Sequence, residues 1–138
     1  MWSNATGPNW SELVIKPGGT VVMFAKCSDG VCHEHPDVLK YGYLPYERVR
    51  ELVERGEITD LICASHLQHG GEKMYGSKKI GCIIVSRGVT REDAKKLHIE
   101  YAETPQEAVD RAFARHGSSS RVYLYPSYYY GELLIKKG

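Results

Sequence analysis

Short apolar runs alternate with amphipathic segments along this chain, and the alternation predicts strands and helices in turn. Two of the apolar runs, residues 20–25 and 80–86, are continuous. Continuous runs of this length are typical of strands that are covered on both faces of a sheet. A brief extended piece is expected at residues 99–101. Further strands are predicted at residues 121–125 and, less distinctly, at residues 132–135.

Helices are predicted where capping residues precede helical spacing. Pro45 at a first-turn position, followed by apolar residues at helical spacing, predicts a helix over about 45–55. Thr90 and Asp93 form the pattern of a capping box and predict a helix over about 91–97.

A third helix is predicted to begin at Thr104, with Pro105 in its first position and Glu107 reaching back to its start. Residues 58–64 fit either a short strand or the start of a helix, because their periodicity does not separate the two. Residues 66–75 are polar and rich in glycine, which predicts a loop that enters a short helix.

Strands that alternate with helices of about ten residues predict an α/β fold. We expect a three-layer sandwich whose sheet, mostly parallel or mixed, is flanked by helices. The 138 residues are enough for one domain with a single core. We divide the chain into a linker-like segment, residues 1–16, and an α/β domain, residues 17–138.

The composition is that of a globular protein, with 42% hydrophobic and 25% charged residues. The net charge of +1 gives no bulk attraction to nucleic acid or to membrane surfaces, so neither is expected as a partner. No apolar run approaches 18 residues, and the first residues lack the pattern of a signal peptide. The four cysteines suit free thiols in a reducing compartment, so a cytoplasmic location is expected.

Metal ligands are considered at one loop, where Cys32, His33 and His35 could place two imidazoles and a third donor together. Asp37 could also serve as the third donor. Pairs of histidines on solvated loops are common, however, and the spacing fixes no third ligand. No cysteine pair has the C-x₂-C spacing of a structural zinc site. We therefore expect no bound metal and keep the three residues as an alternative.

Two further features have more than one interpretation. Ser28, Asp29 and Gly30 follow the first strand, where an α/β sheet commonly binds a ligand, but the residue types of Asp-Gly by themselves favour a simple turn. A tyrosine-rich cluster occupies residues 123–130. Without a basic patch beside it, this cluster favours an interface with another domain or subunit over a surface for stacking bases.

The order of these segments resembles a known family. Residues 17–30, PGGTVVMFAKCSDG, look like the signature that opens the C-terminal domain of the nickel-dependent lactate racemase family. A segment with glycine and glutamine (68–75) then precedes a strand that ends in Val85-Ser86. The sequence TPQEA (104–108) resembles the family's T-x-x-E-A, and residues 122–126 resemble its V-x-V-x-P strand. The resemblance covers roughly residues 10–126.

The resemblance implies a function that this chain performs only together with other residues. Enzymes of that family racemise or epimerise a 2-hydroxy acid with a nickel pincer nucleotide derived from nicotinate. The lysine that carries the cofactor, the nickel ligand and two acid/base histidines all belong to the N-terminal domain. The chain would then be a cleft-closing C-terminal domain, inactive alone and binding no cofactor by itself. Its partners would be the N-terminal catalytic domain, in the same enzyme or as a separate subunit, and a small 2-hydroxy acid, with a homo-oligomer possible.

Carried over by position, the residues near substrate or cofactor are Asp29 and Gly30 in the first loop, and Gln68 and Lys73 before the second strand. The chain departs from the family at Cys32, where a glycine is usual. No residue of this chain is assigned a catalytic role. The alternative function is a stand-alone, non-catalytic α/β module that binds a small anion or a protein partner.

Overall fold

A computed structural model describes residues 11, 14–31, 33–68, 73–75 and 78–125. In chain order the strands and helices are β1 (Thr20–Phe24), α1 (Asp37–Tyr41), α2 (Tyr46–Glu54), α3 (Leu61–His66), β2 (Lys73–Tyr75), β3 (Lys78–Val85), α4 (Arg91–Lys96), β4 (Glu100–Tyr101) and α5 (Pro105–His116). Three helices and a short strand follow the first strand, and from β3 onward strands and helices alternate.

The strand β3 is the centre of the sheet, because every other described strand pairs with it. β1 lies parallel to it, in a register that joins Thr20 to Gly81 and Phe24 to Val85. β4 is also parallel to β3, whereas β2 is antiparallel and pairs with its first residues. The sheet is therefore mixed and mostly parallel.

Successive residues of β3 face opposite sides of the sheet, as the pleat requires. Cys82 and Ile84 belong to a core that also takes buried residues from the segments carrying α1 to α4. Ile83 instead packs with Ala102 and with Ala108 of α5. Helices thus cover both faces of the sheet, and the predicted three-layer α/β sandwich is confirmed.

The predicted starts of α4 and α5 follow from local hydrogen bonds. Thr90 Oγ1 accepts from the Asp93 amide at 3.1 Å, and the Asp93 carboxylate accepts from the Thr90 amide at 3.1 Å, which completes a capping box. Thr104 Oγ1 accepts from the Glu107 amide at 3.1 Å, and Pro105 is the first residue of α5. The Glu107 carboxylate reaches back to the Glu103 amide at 2.7 Å.

Several segments differ from their predictions. Residues 37–41, for which no helix was predicted, form α1. The ambiguous segment 58–64 contributes to the helix α3, because the Asp60 carboxylate caps it. Residues 73–75 form a strand rather than a helix, since they pair with the start of β3.

The segment 121–125, expected as a strand, forms no strand pairing with the described part of the chain. Its apolar side chains remain solvent-accessible, with Leu124 81% exposed. The expected strand at 132–135, most of the segment 1–16 and residues 126–130 of the tyrosine cluster lie outside the described residues. The longest described helix has 12 residues, and none in the described ranges is long and apolar enough to cross a membrane.

Tyr43 places a polar atom in the larger core. Its side chain is 2% exposed, and its hydroxyl makes no hydrogen bond to any described residue. Burial raises the pKa of this phenol, which therefore stays neutral. An unsatisfied buried hydroxyl costs roughly 1–3 kcal/mol, so this group opposes folding although its ring fills the core.

The substitution Tyr43→Phe removes that hydroxyl and keeps the ring. We expect the free energy of unfolding to rise by about 1 kcal/mol, measured by urea denaturation. Tyr41→Phe is the matched control, because the Tyr41 hydroxyl already donates to the Glu57 carbonyl at a partly exposed site. A Tyr43→Phe protein less stable than the wild type by 1 kcal/mol or more would contradict this account.

The Glu107 carboxylate gives the stability of α5 a pH dependence. The hydrogen bond from the Glu103 amide, and after it the Arg111 guanidinium, lower the pKa of this carboxyl. Its stabilising effect is therefore present above the ordinary glutamate pKa of about 4.3 and is lost as the pH falls through the lower folded value. Glu107→Gln should be less stable than the wild type at pH 7, and the difference should shrink by pH 3. Urea denaturation at both pH values tests this, and a constant difference would refute it.

Candidate functional site

The loops that follow β1 and β3 line an open cavity at the carboxyl end of the sheet. Because the two strands are parallel neighbours, their ends meet at one edge. The cavity has a volume of about 540 Å³. Its polar and glycine lining comes from Ser28, Asp29, Gly30, His33, Gly88 and Asp93.

Ser86, at the end of β3, joins the two loops. Its hydroxyl donates to the Lys26 carbonyl at 3.3 Å and accepts from the amides of Gly88 (3.2 Å) and Val89 (3.1 Å). The Gly88 amide also lies 3.1 Å from the Lys26 carbonyl oxygen. Ser86 is buried, so these bonds are formed away from water and fix the separation of the loops.

Gly88 permits this close approach because it has no side chain. A Cβ atom at this position would lie 1.6 Å from the Cys27 carbonyl oxygen. Cys27 itself has a positive φ of 48°, and Gly30 has one of 66°, so the chain turns sharply after β1. The Gly30 amide closes this turn by donating to the Cys27 carbonyl at 2.8 Å.

The two carboxylates of the cavity differ in their surroundings. The Asp93 carboxylate accepts from the amide and the hydroxyl of Thr90, which ties it to the start of α4. Asp29 is exposed on the turn after β1. The ring of His33 lies beside that turn, since a Cβ atom added to Gly30 would be 4.0 Å from His33 Nε2. A carboxylate and an imidazole so placed can hydrogen-bond a small polar molecule through its hydroxyl groups.

The structure brings together only part of the set predicted near substrate or cofactor. Asp29 and Gly30 line the cavity. Gln68 follows α3 and does not line the cavity. Its side-chain Nε2 donates to the Ala64 carbonyl at 3.2 Å. The backbone of Lys73 pairs with Ile80 at the amino end of β3, about 16 Å along the strand from its carboxyl end.

The metal ligands considered from the sequence do not form one group. Cys32 lies outside the described residues. His33 lines the cavity, whereas His35 Nδ1 lies 2.7 Å from an oxygen of the Asp60 carboxylate. Among the described residues, the donor atoms that lie within 4.8 Å of one another are those of His35, Asp60 and Cys63.

Sequence reasoning missed this second group because Asp60 and His35 are 25 residues apart. The only local signal was an aspartate before residues 61–66, which is the pattern of a helix cap. The Asp60 carboxylate indeed accepts from the amides of Ile62 at 3.0 Å and Cys63 at 3.1 Å. The Cys63 amide, followed by the His35 ring, lowers the pKa of Asp60, which favours its ionised form.

Comparison with known proteins adds no assignment: no protein-family model matches the chain, and no curated protein matches it.

The substitution Gly88→Ala should separate the two loops that form the cavity. We expect the free energy of unfolding to fall by about 3 kcal/mol or more, because the methyl group would overlap a backbone carbonyl. Gly56→Ala is the control. Gly56 also has a positive φ (69°), but nothing lies within 4 Å of an added Cβ atom, so we expect a loss of about 1 kcal/mol. Equal losses in the two variants, measured by urea denaturation, would show that the loops do not depend on this contact.

Proposed function

We propose that this chain is the cleft-closing C-terminal domain of a 2-hydroxy acid racemase or epimerase similar to the nickel-dependent lactate racemases. The observation that carries the proposal is the position of Asp29 and Gly30. These residues end the segment 17–30 that resembles the family signature, and they lie in the cavity at the carboxyl ends of β1 and β3. The mostly parallel sheet and the order of the later segments along the chain support it.

The residues of the cavity suit binding more than chemistry. Asp29 is a hydrogen-bond acceptor when ionised, so it can hold a hydroxyl group of the substrate or of the cofactor. The carboxylate of a 2-hydroxy acid would be repelled by Asp29 and Asp93, and we therefore place it towards the partner domain. His33 can donate or accept a hydrogen bond beside Asp29. This chain then positions hydroxyl groups and excludes water from the cleft.

The nickel pincer nucleotide would lie next to this cavity while being attached to another domain. It supplies hydride transfer when bound to the enzyme, but the described cavity lining contains neither a lysine nor a cysteine that could attach it. We assign the attachment, the nickel ligand and the acid/base histidines to the N-terminal catalytic domain. A cytoplasmic location is part of the proposal, supported by Cys27, Cys63 and Cys82, which are buried thiols rather than halves of disulfides.

The test combines this chain with the cofactor-loaded N-terminal half of a nickel-dependent lactate racemase, both as separate chains and joined in one polypeptide. L-lactate is the probe, and the D-lactate formed is measured by chiral chromatography. We expect inversion above the rate of the N-terminal half alone, and about a tenfold lower kcat/KM in Asp29→Asn. Asp110→Asn, on the exposed surface of α5, is the control and should match the wild type.

Failure of inversion in the joined polypeptide, with both halves folded, would contradict the enzymatic proposal and favour the stand-alone binding module. If Asp29→Asn inverts lactate as fast as the wild type, the enzymatic proposal stands, but the proposed contact between Asp29 and the substrate or cofactor is contradicted.

A further inference from the structure

Three side chains with different donor atoms meet beside the start of α3. His35 comes from the loop between β1 and α1, Asp60 precedes α3, and Cys63 lies in its first turn. One donor atom from each lies within 4.8 Å of the other two. His35 Nδ1 and Asp60 Oδ2 are the closest, at 2.7 Å.

The two oxygens of Asp60 have separate partners. Oδ1 accepts from the amides of Ile62 and Cys63, which holds the carboxylate in one orientation. Oδ2 is thereby directed to His35. A ligand whose rotamer is already fixed by a second hydrogen bond binds a metal with less loss of conformational entropy.

Burial changes across the group. Cys63 is 1% exposed, whereas the side chains of His35 and Asp60 are 22% and 40% exposed. The sulfur therefore lies on the inner side, and the nitrogen and oxygen lie where an ion can enter from solvent. A thiol so buried is poorly placed to attack a substrate, which argues against a cysteine nucleophile assisted by the His35–Asp60 pair.

We propose that His35, Asp60 and Cys63 bind a divalent transition-metal ion, for which Zn²⁺ is the best match. Zinc accepts nitrogen, oxygen and thiolate ligands together, whereas magnesium and calcium require oxygen ligands. Ligand atoms of a tetrahedral zinc ion lie about 3.3–3.6 Å apart, so the three atoms need to move by roughly 1 Å or less. Three protein ligands leave the fourth position for water or a small molecule.

Binding would deprotonate the Cys63 thiol and replace the direct contact between His35 and Asp60 by two bonds to the ion. The site would then join the loop before α1 to the start of α3. This inference does not depend on the proposed function, because none of the three residues lines the cavity.

The experiment titrates the full chain, stripped with a chelator and desalted, with Co²⁺ and then with Zn²⁺. We expect one equivalent of Co²⁺ to give the absorption of a tetrahedral ion with a thiolate-to-cobalt charge-transfer band, and Zn²⁺ to displace it. Competition with a chromophoric chelator gives the zinc affinity. Binding of less than a tenth of an equivalent of Zn²⁺ would overturn the proposal.

Variants assign the ligands. Cys63→Ser should abolish the charge-transfer band, and His35→Gln and Asp60→Asn should each weaken zinc binding at least tenfold. Asparagine can still cap α3, and position 35 is partly exposed, so these two variants test the site even if Cys63→Ser fails to fold. Cys82→Ala and His116→Gln are the controls and should bind as the wild type. A charge-transfer band that persists in folded Cys63→Ser would overturn the assignment.

Discussion

The shape of the cavity depends on how closely the loop after β3 approaches the loop after β1. Ser86 and the Gly88 amide bind the Lys26 carbonyl, and the missing side chain of Gly88 allows the Cys27 carbonyl to come into contact. The two strands are already aligned by their parallel register, so the contact continues the sheet beyond its last paired residues. The turn after β1, which carries Asp29, thereby lies on the same cavity as Asp93 at the start of α4.

Both faces of β3 are covered by helices, and this determines where the sheet can bind a ligand. Ile83 is fully buried against α5, while Ile84 is fully buried on the opposite side. From Ile80 to Val85 the strand consequently carries only apolar residues and a glycine, and a polar side chain follows at Ser86. In a sheet of this kind a ligand can be bound only at the strand ends, which is where the cavity lies.

The elements that the sequence predicted correctly are those whose signals come from residues close together in the chain. The capping residues of α4 and α5 act within three or four positions, and the continuous apolar strands are distinctive at the same range. The elements that were missed depend on distant residues. The strand at 73–75 exists because β3 pairs with it, and the apolar segment at 121–125 has no such partner among the described residues. Propensity alone could not distinguish these two cases.

The same limit applies to the side chains of the candidate sites. Asp29 and Gly30 were found because their position after a strand carries the information, whereas no sequence pattern joins Asp60 to a histidine 25 residues earlier. His33 and His35 show most directly that nearness in the sequence does not place two side chains in one site. They are two residues apart, yet one lies beside the turn after β1 and the other contacts the cap of α3. The segment 33–35 therefore joins the turn beside the cavity to the cap of α3, and only the folded chain shows that its two histidines belong to different groups.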